Sequence, residues 1–123
     1  MISVDSYGWI ERFTNGPKAN FYNAVIEKTA PSEIVTSSMV LYEVYKKIKQ
    51  AVNEQSALEA VAAIGQTLVV PIDQSLSLEV ADYSRMFGLH MADEVVYATA
   101  IHYGAELYTS EEDLKGAKGV VFI

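Results

Sequence analysis

The sequence predicts an α/β protein of three layers, with a central parallel sheet of about five strands and helices on both faces. Three observations predict it. Short β-branched runs recur along the 123-residue chain, separated by stretches of helical spacing. That alternation implies crossover connections, which join parallel strands and bury the sheet between helices. Half of the residues are apolar, enough for one globular domain over residues 1–123 with a real core. Finally, Met91 to Ala100 reads as a helix that is apolar on nearly every side, and such a helix is buried.

Taken in order, Ile2-Ser3-Val4 is a short apolar run suited to a first strand. Tyr7 to Phe13 forms a short helix, with Asn15-Gly16-Pro17 as its stop. A second helix covers Asn20 to Lys28, with Phe21, Tyr22, Val25 and Ile26 as its apolar side. Pro31 breaks the chain before a second strand at Ile34-Val35-Thr36. Ser37 or Ser38 caps the next helix, which runs to about Val52. Its apolar residues Val40, Leu41, Val44, Tyr45 and Ile48 keep helical spacing. Ser56-Ala57-Leu58-Glu59 has the form of a capping box, so a further helix is expected to open there and end near Gly65. Leu68-Val69-Val70 is the third strand, closed by Pro71. A helix from Asp73 or Ser75 runs to Phe87 and stops at Gly88. The apolar helix extends from Met91 to Tyr103, before strands at Glu106–Tyr108 and Gly119–Ile123.

Composition narrows the function. Cysteine is absent, which removes disulfides, thiolate metal sites and cysteine nucleophiles together. No secretory leader or membrane span is expected, so the inferred setting is a soluble, cytoplasmic one. A net charge of −7 argues against coating nucleic acid by bulk attraction, while leaving room for a local basic patch or a bound metal. Neither G-x-S-x-G nor a phosphate-binding glycine loop occurs.

The candidate chemistry lies in carboxylates. Asp5 follows the first strand. Glu43 lies in the helix after the second. Asp93 and Glu94 open the apolar helix, and Glu111, Glu112 and Asp113 follow the fourth strand. A doubly wound sheet gathers its site outside the carboxyl ends of its strands, where strand order reverses. Oxygen ligands without thiolates favour a hard divalent ion such as Mg²⁺ or Mn²⁺. Such a site supports phosphodiester hydrolysis by metal-activated water.

Each carboxylate also has a plainer reading. Asp5 serves equally as a helix cap. Spacing alone favours a surface pair between Glu43 and Lys47, four residues on. Glu111 to Asp113 has the form of an acidic first turn. Asp93 has the fewest alternatives, because its helix is apolar around it, and Glu94 reads as its solvated neighbour. Lys46, Lys47 and Lys49 read first as a solvated face and second as a phosphate contact. His90 and His102 lack ligand spacing and read as structural. The eight tyrosines read mostly as core or interface residues.

With these residues in view, the sequence resembles the PIN-domain proteins, and most of all the VapC ribonuclease toxins of toxin–antitoxin pairs. The resemblance covers essentially the whole chain. It rests on Val4-Asp5-Ser6, on Thr36-Ser37 through Glu43-Val44-Tyr45, on Ala92-Asp93 through Ala98-Thr99-Ala100, and on Leu107 through Thr109-Ser110-Glu111 to Asp113-Leu114. It implies a metal-dependent endoribonuclease with Asp5, Glu43, Asp93 and Glu111 as metal ligands, using Mg²⁺ or Mn²⁺. It also implies an RNA substrate, a small cognate antitoxin, and a homodimer. The family's last motif often reads Thr-x-Asp-x-Asp-Phe. Here Glu111 stands in the usual position, and Asp113 is the alternative ligand. Ser6 and Thr109 are expected beside the ligands, in supporting roles.

Two other classes compete with this one. One is a PIN-like module that binds partners without useful turnover. The other is a phosphatase or phosphorelay receiver. Against the phosphatase, Tyr7 stands where a second aspartate is wanted. Against the receiver, Asp5 stands alone after the first strand.

Overall fold

A strand of three or four residues gains little by itself, so each strand here depends on its neighbours. The computed structural model describes residues 1–123. It contains β1 (Ile2–Val4), α1 (Ser6–Thr14), α2 (Ala19–Glu27), β2 (Val35–Ser37), α3 (Ser38–Ala51) and α4 (Glu54–Ile64). There follow β3 (Leu68–Val70), α5 (Gln74–Phe87), α6 (Met91–His102), β4 (Glu106–Thr109) and β5 (Val120–Phe122). Every pairing is parallel: β1 with β4, β4 with β5, and β2 with β3.

The expected five strands are all present, in two groups rather than one unbroken ladder. Order β1-β4-β5 forms one group and β2-β3 the other. A single parallel bridge between Ile2 and Ile34 joins them. The strand order across the molecule is therefore 3-2-1-4-5, and it reverses between β1 and β4. Helices α1, α3 and α6 lie against the strands, while α2, α4 and α5 pack on α1, α3 and α6 respectively.

The core draws on all layers. Val4, Val35, Val70 and Leu107 from strands meet Val40, Val44, Ile48, Ile64, Val96 and Ala100 from helices. Burying one such large aliphatic side chain contributes roughly 1.5–3 kcal/mol. In α6 every residue from Glu94 to Ala100 is buried, as expected of a helix apolar all round.

Caps explain most boundaries. Asp5, Ser37 and Asp73 each accept a backbone N–H at the start of α1, α3 and α5. Asn15 and Gly88 close α1 and α5 in the left-handed region, where Gly and Asn are the favoured residues. The fourth helix corrects the expectation from Ser56. It begins three residues earlier, because the cap is Asn53, whose Oδ1 accepts the Ser56 N–H at 2.7 Å. Ser56 is thus inside the first turn rather than at its cap. Short 3-10 turns at Pro31–Glu33 and Glu112–Leu114 also go beyond the expected elements.

Gly8 sets how closely α1 approaches the sheet. A Cβ there would stand 2.4 Å from the Tyr22 ring and 2.7 Å from Val4 Cγ1. Gly8→Ala should therefore destabilise the protein by about 1–3 kcal/mol through overpacking, despite its better helix propensity. Urea unfolding checks this: a stability equal to or above wild type would contradict the close approach.

Candidate active site

The reversal between β1 and β4 brings two chain segments together. Register pairs Val4 with Tyr108, and the Asp5 N–H continues the ladder to the Tyr108 carbonyl at 3.2 Å. Asp5 then turns into α1. Its Oδ1 accepts the Gly8 N–H at 3.0 Å, and its Oδ2 accepts the Thr109 hydroxyl. Both readings of Asp5, cap and site residue, thus describe one side chain. Thr109 is 0% exposed, and its Oγ1 also accepts the Glu111 N–H at 2.9 Å. One buried hydroxyl therefore ties Asp5 to the segment that carries Glu111.

Asp5, Asp93 and Glu111 line a cavity of about 240 Å³ together with Ser6, Tyr7, Lys18 and Ser110. Asp93 comes from the first turn of α6, which packs on β2 and β4. Glu43 borders a neighbouring recess with Tyr42, Lys46, Lys47 and Gln50. Its charge nevertheless acts on both Asp5 and Asp93. The expected Glu43–Lys47 pair is not among the ion pairs. Asp113 is exposed and outside the cavity, so Glu111 is the residue of that segment that lines it. Glu111 Oε1 accepts the Asp113 N–H at 3.3 Å.

Two details differ from the sequence reading. Glu94, expected to be solvated, is 5% exposed, while Asp93 is only partly buried. Tyr7 and Lys18 line the cavity without any sequence signal, because the turn at Gly16-Pro17 folds α2 back beside α1. Ser110 could have been found as the neighbour of Thr109. His90 lies close enough to Asp93 to favour its ionised form, and His102 Nδ1 pairs with Glu79 at 3.0 Å.

The electrostatics follow from the crowding. Burial, then the charges of Glu111, Glu43 and Asp5, push the Asp93 carboxyl up to about 6. Burial also raises Asp5, against hydrogen bonds from Thr109 and Gly8 that favour its ionised form. As the side chains stand, no three acidic or imidazole groups converge tightly enough to hold an ion. The donor set still fits a hard divalent cation: its ligands are all oxygen, and the repulsion that raises Asp93 is what a cation relieves. Asp93, unlike Asp5, is held by no side-chain hydrogen bond.

A pH prediction follows. The unfolded Asp93 titrates near 3.8 and the folded one near 6. The folded state therefore favours the protonated form. That contribution is full below about pH 4 and is lost as pH rises through 6. In EDTA, Asp93→Asn should remove this loss, which solvent screening limits to roughly 1–2 kcal/mol. Melts of both proteins at pH 4.5 and 7.5 read it directly; parallel pH dependences would contradict it.

A family model for the PIN domain matches residues 2–120, and the chain belongs to the PIN domain family. No curated protein matches it. Solved structures do. A toxin–antitoxin complex from Klebsiella pneumoniae superposes with a TM-score of 0.82 at 23% identity, covering 98% of this chain and 96% of that one. VapC20 from Mycobacterium tuberculosis, a toxin that cleaves the sarcin-ricin loop, gives 0.81 at 17%, covering 100% and 97%. VapBC2 from Rickettsia felis, bound to a promoter DNA fragment, gives 0.76 at 16%, covering 100% and 98%. At these identities the likeness is one of fold.

Proposed function

We propose that this chain is a Mg²⁺- or Mn²⁺-dependent endoribonuclease and the toxin of a toxin–antitoxin pair. The observation that carries the reading is the meeting of Asp5, Asp93 and Glu111, with the charge of Glu43, at the carboxyl ends of β1 and β4. Membership of the PIN family supports it, and so do neighbours of the same fold that are toxins or toxin–antitoxin complexes. A divalent ion, when bound, supplies an activated water and offsets charge on the phosphoryl group.

The chain's own residues divide the remaining work. Asp5 is fixed at both oxygens by Gly8 and Thr109 and gives the site a rigid anchor. Asp93 lacks such restraint; it would hold the ion together with Asp5, which relieves the crowding that raises its carboxyl in the metal-free chain, and would help orient the attacking water. Glu43 and Glu111 complete the negative charge. The same reading assigns a small antitoxin that occupies the acidic cleft, a homodimer, and the cytoplasm as setting; no helix is long and apolar enough to cross a membrane.

The test is a cleavage assay on single-stranded RNA with the purified protein. Mn²⁺ or Mg²⁺ should support cleavage, EDTA should lower it at least about a hundredfold, and calorimetric titration with Mn²⁺ should give heat. Absence of both heat and EDTA sensitivity would instead favour a partner-binding module without turnover.

A further inference from the structure

The carboxylate cavity has one cationic residue in its lining, Lys18. Lys18 pairs with none of the three side-chain carboxylates beside it. Its Nζ instead donates to the Ile123 carbonyl at 2.9 Å. The same oxygen accepts the Ser110 hydroxyl at 3.0 Å. An ammonium has three donors, and two remain for a ligand. Nζ also stands 5.9 Å from the ring centroids of Tyr7 and Phe122.

Tyr7 lines the same cavity and is 44% exposed. An exposed aromatic beside a charged cavity is unusual, and this one is braced. Its ring meets Tyr22 edge-on at 6.3 Å, and its hydroxyl donates to Glu11 Oε1 at 3.1 Å. The same Oε1 accepts the Lys18 N–H at 2.9 Å. Glu11 is 7% exposed, and the turn wraps it so closely that a Cβ on Gly16 would stand 1.7 Å from Oε2. One buried carboxylate thus anchors the Tyr7 hydroxyl and the main chain of Lys18 beside the acidic cavity.

We propose that Tyr7 and Lys18 form a nucleotide subsite beside the carboxylates, Tyr7 stacking an unpaired base and Lys18 binding an adjacent phosphate. The proposal rests on the ribonuclease reading. It answers a difficulty that reading leaves: a chain of net charge −7 must draw a polyanion into an acidic cleft. A local cation offsets that repulsion where it is greatest. Stacking adds attraction that does not depend on charge, and it requires a base free of its partner strand. The subsite therefore selects single-stranded RNA over duplex.

The test reads binding separately from turnover. A fluorescently labelled single-stranded oligoribonucleotide is titrated with the full chain carrying Asp93→Asn, in Mg²⁺, and followed by anisotropy. Adding Lys18→Met should weaken binding about tenfold and flatten the slope of log affinity against log salt by about 0.7, the value for one single-strand phosphate contact. Tyr7→Leu should weaken binding about tenfold without changing that slope, whereas Tyr7→Phe, which keeps the ring, should bind within about twofold of its parent. On the native Asp93 background both Lys18→Met and Tyr7→Leu should raise KM with kcat within about threefold. Unchanged affinity and slope in Lys18→Met, or no RNA binding by the Asp93→Asn parent, would overturn the subsite. Lys18→Met decides the matter even if Tyr7→Leu proves unstable. If the native chain fails to cleave but Lys18→Met still weakens binding with the flatter slope, the ribonuclease reading falls and the subsite stands.

Discussion

Asp93→Asn should leave a folded protein that cleaves RNA about a thousandfold more slowly, the loss expected when several kcal/mol of transition-state charge stabilisation is removed. The substitution is close in shape, and Asp93 takes no hydrogen bond within the chain, so nothing in the packing of α6 depends on its charge. What disappears is one of the carboxylates that crowd the cavity and would hold the ion there. The same variant should melt at a higher temperature than wild type at pH 7.5 in EDTA, because it relieves the repulsion from Glu111, Glu43 and Asp5. Loss of activity with gain of stability is a pairing that a purely structural aspartate would not produce. Cleavage at the wild-type rate by pure Asp93→Asn protein would rule out the mechanism.

The second large effect separates two duties of one residue. Asp5 both caps α1 and lines the cavity. Asn caps helices about as well as Asp, whereas Ala forfeits roughly 1 kcal/mol. Asp5→Asn should therefore keep wild-type stability or nearly so, while Asp5→Ala should lose about 1–2 kcal/mol, from the cap and from the unpaired Thr109 hydroxyl. Both should fall by about a thousandfold in RNA cleavage, since neither retains the charge. Chemical unfolding and a cleavage assay on the same three proteins test this. If Asp5→Asn cleaved normally and only Asp5→Ala failed, Asp5 would be a cap and nothing else.

Much of this architecture was readable from the residues, for identifiable reasons. The β-branched runs at Ile2–Val4 and Leu68–Val70 and the punctuation at Gly16-Pro17 and Gly88 are local signals, and local signals place elements well. The start of α4 is ambiguous in sequence because two polar residues, Asn53 and Ser56, are both able to cap; the structure uses the first. Glu94 reads as solvated because helix spacing does not say what covers the second of two adjacent carboxylates: Asp93 lines the cavity, and Glu94 is buried outside it. Glu43 was the hardest. Its distance to Lys47 along the helix is fixed by sequence, but its nearness to Asp5 and Asp93 comes only from how α3 packs on α6 and the sheet. The family resemblance pointed to it where spacing did not. Lys18 and Tyr7 had no signal at all, because they meet through a turn and a buried Glu11 rather than through any period.

The hydrogen bond from Thr109 to Asp5 links positions 104 apart in the chain. Partial chains lacking β4 cannot make it, and parallel pairing of this kind forms late because its loop must close first. The cleft is therefore a property of the closed fold: a nascent chain that has not yet paired β4 with β1 carries Asp5 without its partner and has no catalytic pocket to misuse.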